Sequence, residues 1–247
     1  MAYIYEYIRT RGYEPMHFEE HFTRLEELSR ALFLAPLAIG REELRKAIAE
    51  KLRSGGYSKS ATNAVNIKCH DNGAIEIECV EMLYNHFSLR ALAPQGFLTR
   101  VSGELIMQNT SAKVALLELN HATAQIANEG VPVWVNELGE VIAIEGAPII
   151  AVFENEIRFS EHCQNVESTL ALKATKLSHR NITQGIVYLS ELQQAKEILY
   201  IDYRGITALS EWNGHRYMDI SAERIARMVA EQIDNCPSVF TVNLIKI

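Results

Sequence analysis

Two residues near the middle of this chain can do chemistry that a plain surface position does not need. Lys113 stands just before the run VALLELNHATAQIANEG, and Glu145 closes the apolar run VIAI 32 residues later. A lysine amine can form an imine with a carbonyl compound. A carboxylate can hold the proton of a ring nitrogen, because it favours the charged form of that ring. Together such groups can form a pyridoxal-phosphate site. Glu145 follows apolar residues, so its surroundings are expected to be partly desolvated, and a cationic partner would offset that cost. On residue type alone, Lys113 as an ordinary surface lysine stays open.

The elements that must position these residues are readable from periodicity. Ile4–Arg9 (IYEYIR) predicts a strand, and the alternating Tyr3, Tyr5 and Tyr7 suggest one wet face. Phe18–Phe33 predicts a helix, with Phe18, Phe22, Leu25, Leu28 and Leu32 on one stripe. A second helix is predicted over Arg41–Arg53, ended by Ser54-Gly55-Gly56. Ala64–His70 and Ala74–Tyr84 predict strands joined by the turn Asp71-Asn72-Gly73. Asn85–Gly96 reads as a connector and Phe97–Ser102 as a short strand. The central helix then leads into a hairpin, VPVWVNELGEVIAIEGAPIIAVFENEIRF. Beyond it, helices are predicted over Glu167–Leu177, Glu191–Lys196 (capped by Ser190) and Ala222–Ile233 (capped by Ser221). Strands are predicted over Gly185–Leu189, Ile198–Tyr203 and Ile206–Trp212, with a turn at Asn213-Gly214. Antiparallel hairpins mixed with helices make the class α+β, or mixed α/β. The expected domains are 1–85, a small α/β domain, a linker over 86–94, and a larger domain over 95–247.

Composition narrows the function. The 247 residues are 48% hydrophobic and 22% charged, an ordinary globular mix, with a net charge of −7. That balance argues against a general nucleic-acid binder, which needs clustered Lys and Arg. No apolar run reaches the length of a membrane span, and the N-terminus lacks a signal-peptide layout, so a cytoplasmic location is expected. Four scattered cysteines without a CxxC pair read as reduced core residues. His17 and His21 have ligand spacing, but no third ligand is identifiable, so no metal is expected.

Several segments, in order, resemble the fold-type IV pyridoxal-phosphate family, which includes branched-chain and D-amino-acid aminotransferases and 4-amino-4-deoxychorismate lyase. IYEYIR is similar to the family's F-E-T-I-R strand. PMHFEEHFTRLEELSRALF is similar to its F-x-x-H-L-x-R-L-x-x-S-A helix. GEVIAIEGAPIIAVFENEIRF resembles, in degraded form, its G-x-V-x-E-G-x-x-x-N-I-F hairpin.

The resemblance implies a two-domain fold with a cleft, pyridoxal 5'-phosphate as cofactor, a small-molecule substrate and a homodimer. It places Arg24 at the cofactor phosphate, a role suited to a guanidinium fork. Matching Glu145-Gly146 to the family's Glu-Gly pair puts the lysine position at or within a residue or two of Lys113. Matching Gly139 to the family's turn glycine instead puts Thr110 and Ala143 in those places, which implies a relative without cofactor. The first phosphate turn falls on NVEST, where Ser168 or Thr169 must supply the hydroxyl and Glu167 is unhelpful. The second falls on DYRGIT, with Ile206 and Thr207, and Asp202 there would repel phosphate if it pointed inward. The family's asparagine after Glu-Gly is absent. Within this reading, 4-amino-4-deoxychorismate lyase, forming 4-aminobenzoate and pyruvate, stands ahead of an amino-acid aminotransferase, with a noncatalytic relative as the other alternative.

Overall fold

A computed structural model describes residues 2–127, 130–176 and 181–234. The chain divides into two compact units, one of Tyr3–His86 with the chain from Ala230, the other of Phe87–Val229. The expected linker over 86–94 therefore belongs, from Phe87, to the second unit. The C-terminal end of the expected larger domain clusters with the first.

In the first unit a four-stranded antiparallel sheet, ordered β2-β1-β3-β4, carries two helices. Its strands are β1 (Tyr3–Arg11), β2 (Glu14–Pro15), β3 (Thr62–His70) and β4 (Ile75–Glu81). The helices are α1 (Phe18–Phe33) and α2 (Arg41–Ser54). Ile4 and Ile8 of β1 pack with Phe22 and Leu25 of α1, Leu44 and Ile48 of α2, and Val65 and Ile67 of β3. The predicted stripes are thus the buried ones. The single wet face expected for β1 is not there: Tyr5 is buried on one face and Glu6 on the other.

In the second unit β5 (Gln95–Arg100) leads through α3 (Ser111–Ala127) to β6 (Val131–Val135), which pairs parallel to β5. A crossover helix is what a parallel pair requires. β7 (Val141–Ile144) returns antiparallel to β6. The chain then changes sheet. β8 (Ile149–Val152) and β9 (Ile157–Ser160) lead through α4 (Val166–Lys176) to β10 (Ile182–Gly185), parallel to β9. β11 (Glu197–Asp202), β12 (Gly205–Ala208), β13 (Glu211–Trp212), β14 (His215–Arg216) and α5 (Ile220–Asp234) follow. The two five-stranded sheets are ordered β14-β13-β5-β6-β7 and β10-β9-β8-β11-β12. Val133 and Val135 of one sheet, Ala151, Ile198 and Tyr200 of the other, and Leu192 share one core.

Several expected boundaries are corrected. The single long hairpin is two strand pairs in two sheets, because the tight turn after Ile144 redirects the chain. The strand expected over Gly185–Leu189 lies earlier, as β10. The expected Glu191–Lys196 helix is a short 3₁₀ turn, Leu189–Gln194, and the Glu191 carboxylate accepts from the Tyr188 N–H at 2.9 Å. Ser221 does not cap α5. The buried carboxylate of Glu197 accepts the N–H groups of Ser221 and Ala222 at 2.7 and 2.9 Å. A charged acceptor satisfies these orphan donors and suits the positive helix end better than a hydroxyl. Leu177 and Cys236 lie outside the described residues. Cys69, Cys79 and Cys163 carry thiols rather than disulfides, and burial holds that of Cys69 up to about 12.

Candidate active site

Lys113 is not before the helix but in the first turn of α3. Thr110 caps that turn, its hydroxyl accepting the Lys113 N–H at 3.4 Å. The lysine side chain is buried, and its amine donates to Asn109 Oδ1 at 3.3 Å. Glu145 and Gly146 form the two-residue turn that ends β7. Ile144 and Ala147 exchange backbone hydrogen bonds at 3.0 and 2.9 Å across it. Both turn residues have positive φ, 52° and 72°. That is the geometry of a tight hairpin turn that normally selects Asn-Gly. A glutamate there costs roughly 1–2 kcal/mol of backbone strain. At Gly146 a Cβ would come within 3.1 Å of Lys113 Cε and 3.0 Å of Leu117 Cδ1. The lysine stem therefore lies against the bare backbone of the turn that carries Glu145. The fold brings together two residues that are far apart in sequence.

Glu145 is held from three directions. Its Oε2 accepts from the Tyr200 hydroxyl at 3.0 Å, and an Arg204 guanidinium nitrogen lies 3.5 Å from the same oxygen. His121 Nε2 is 3.6 Å from Oε1. Tyr200 stands in β11 directly opposite Thr207 of β12. Thr207 Oγ1 accepts from Arg90 at 3.1 Å. Burial, and then the Glu145 charge, push the Tyr200 phenol well above its ordinary value, so it stays a donor. Burial works against the Arg204 cation, but Asp202 and then Glu145 outweigh it and hold the guanidinium charged. Asp202 is turned to Arg204, accepting its backbone N–H at 2.7 Å and its Nε at 2.8 Å.

The other expected residues are placed as follows. Asn165 caps α4: its Oδ1 accepts the Ser168 N–H at 2.7 Å, and the Ser168 hydroxyl donates to its carbonyl at 2.9 Å. Thr169 Oγ1 donates to the same carbonyl at 3.1 Å. Both hydroxyls are thus engaged locally. The Ile206 N–H donates to the Ser88 carbonyl at 3.0 Å. A Cβ on the preceding Gly205 would come within 2.4 Å of that same oxygen, so only glycine lets β12 approach Ser88. Arg24 lies in the first unit, its Nε donating to Glu6 Oε2 at 3.2 Å while Glu6 Oε1 meets His21 Nδ1 at 2.9 Å. His17 meets the Ile233 carbonyl at 3.0 Å, so it and His21 have different partners. Ala143, of the alternative register, is fully buried among Trp134, Ile142 and Cys163. Sequence reasoning did not single out Arg90, Asn109, His121, Tyr200 or Arg204. No local pattern marks Arg90, His121 or Tyr200, because their partners come from other elements.

The sequence matches no family model and no curated protein. Solved structures do match. The chain is similar to the T.th. branched-chain amino acid aminotransferase complexed with N-(5'-phosphopyridoxyl)-L-glutamate, at 14% identity and a TM-score of 0.76, covering 98% of this chain and 88% of that one. It is similar to a fold IV-transaminase from Curtobacterium pusillum, at 13% identity and a TM-score of 0.74, covering 92% and 86%. It is also similar to a candidate 4-amino-4-deoxychorismate lyase from Legionella pneumophila, at 9% identity and a TM-score of 0.76, covering 93% and 91%.

Proposed function

We propose, starting from the fold-type IV aminotransferase fold that this chain adopts, that it is a pyridoxal-phosphate-dependent enzyme acting on a small amino-bearing substrate. One observation carries the reading. A buried lysine lies against a turn where a Cβ would crowd it, and that turn presents Glu145. These residues fit the cofactor: Lys113 would attach it and Glu145 would face its ring nitrogen. Pyridoxal phosphate, when bound, serves as an electron sink for the carbon next to the substrate nitrogen.

The chain's own residues have separate tasks. Glu145 holds a proton on a ring nitrogen by remaining a carboxylate. Lys113, once its amine is released, is the group placed to take a proton from the substrate carbon and return it. Arg24, Ser168, Thr169, Ile206 and Thr207 are assigned to the cofactor phosphate. With the Ser168 and Thr169 hydroxyls engaged at Asn165, anion binding at α4 draws on its first backbone N–H groups.

The finer reading is 4-amino-4-deoxychorismate lyase, forming 4-aminobenzoate and pyruvate. It is supported by a lyase-type structure that this chain covers over 91% of its length, against 88% and 86% for the two aminotransferases above. An aminotransferase of the same fold is the alternative, and assays for released 4-aminobenzoate and for amino transfer to a keto acid separate the two. A relative that keeps the fold without the cofactor is favoured by the internal engagement of Ser168, Thr169 and Ile206. The reading includes a homodimer and a cytoplasmic location. Among the described residues no helix is long and apolar enough to cross a membrane.

The deciding experiment is borohydride reduction of the protein supplied with pyridoxal phosphate, followed by peptide mapping. The label is expected on Lys113, and Lys113→Ala is expected to abolish both label and turnover. A label on another lysine overturns the assignment, and no label supports the cofactor-free relative.

A further inference from the structure

Glu145 has one close donor. The cations beside it stand at 3.5 and 3.6 Å, and their side chains are 33% and 46% exposed, so solvent screens them. The Tyr200 hydroxyl is at 3.0 Å, and Tyr200 itself is 1% exposed. Its strand, β11, lies between β8 and β12, and its ring is part of the core shared by the two sheets. Such a ring has no room to swing.

The direction of this proton follows from donor chemistry. An ionised carboxylate can only accept, so the Tyr200 hydroxyl donates to Glu145 Oε2. A hydrogen bond that ends on a charged acceptor is stronger than one between neutral groups.

We propose that Tyr200 is a positioning residue for Glu145, whose buried hydroxyl holds Oε2 in place before any ligand arrives, so that the carboxylate is already oriented for a cationic ring nitrogen. This rests on the role given to Glu145 above. The strained turn makes such a hold necessary, since the turn sets the backbone of Glu145 but not the direction of its side chain.

Two measurements test the proposal separately from the cofactor reading. The first uses the protein without cofactor and with labelled tyrosine. A buried hydroxyl proton donated to a carboxylate is expected as a slowly exchanging downfield NMR resonance. Tyr200→Phe should remove it, and Glu145→Gln should move it upfield. Tyr217→Phe, which removes another partly buried hydroxyl, bonded to the Leu192 carbonyl at 2.9 Å, should leave it alone. The second follows the visible absorption of the protein loaded with pyridoxal phosphate as pH is varied. Tyr200→Phe should shift the midpoint by about one pH unit, the scale of one hydrogen bond. Tyr217→Phe should not shift it. Absence of the resonance, or a midpoint indifferent to Tyr200→Phe, overturns the positioning role while the cofactor reading stands. The resonance without any visible band overturns the cofactor reading and leaves the hold on Glu145 established.

Discussion

Glu6 and Glu145 are both carboxylates taken largely out of water, and the fold treats them in opposite ways. Glu6 lies within a regular strand and is 2% exposed, with His21 at 2.9 Å on one oxygen and Arg24 at 3.2 Å on the other. Glu145 lies in a left-handed turn, with a neutral phenol as its one close donor and its cations at 3.5 Å and beyond. The first is compensated by its own unit, on an unstrained backbone. The second has strain at its backbone and its cations at longer distances. Strain of this kind is kept where the side chain is needed in that place. Compensation marks a structural carboxylate, and incomplete compensation marks one able to take a ligand.

The comparison can be broken at each end. Glu6→Ala is expected to show the largest stability loss, roughly 3–5 kcal/mol, because it leaves buried His21 and partly buried Arg24 without their carboxylate. A urea titration reads it, and a loss below about 1 kcal/mol would mean that Glu6 is not the structural member of the pair. Glu145→Gln keeps the hydrogen-bonding shape and removes the charge. Stability and cofactor binding should hardly change, while the single-turnover rate falls roughly a hundredfold, about 2.7 kcal/mol. A variant that turns over normally would make Glu145 another structural carboxylate. Arg24→Ala touches both sides of the comparison. It is expected to weaken cofactor affinity by about 1.5–3 kcal/mol, the range of a charge-assisted hydrogen bond, and also to lower stability, since Glu6 loses a partner. Equilibrium dialysis and a urea titration on the same preparation separate the two effects. Lost stability with unchanged affinity would assign Arg24 to Glu6 alone.

Where sequence reasoning succeeded, the information was local. The stripe Phe18, Phe22, Leu25, Leu28 gives α1 with the bounds that the structure shows, since a helix of period 3.6 must bury one face. The turns at Asn72-Gly73 and Asn213-Gly214 are where expected for the same kind of reason. Where it went astray, a distant group had replaced a local one. Ser221 has the chemistry of a cap, but Glu197, from β11, occupies that helix end.

The candidate site divides along the same line. Residue types and the Glu-Gly pair of the family resemblance were enough to make Lys113 and Glu145 candidates, because an amine and a carboxylate at that spacing suit the chemistry. Sequence could not choose between that register and the one through Thr110 and Ala143. Nor could it show that the lysine stem rests on Gly146, or that Tyr200 faces Thr207 and reaches Glu145. Those depend on which strands pair and in what register. A shift of one residue would turn Tyr200 to the other face of its sheet. Helix periodicity, turn chemistry and charge are properties of neighbouring residues and are written in the chain. The direction of a side chain toward a partner dozens of residues away exists only once the sheets have formed.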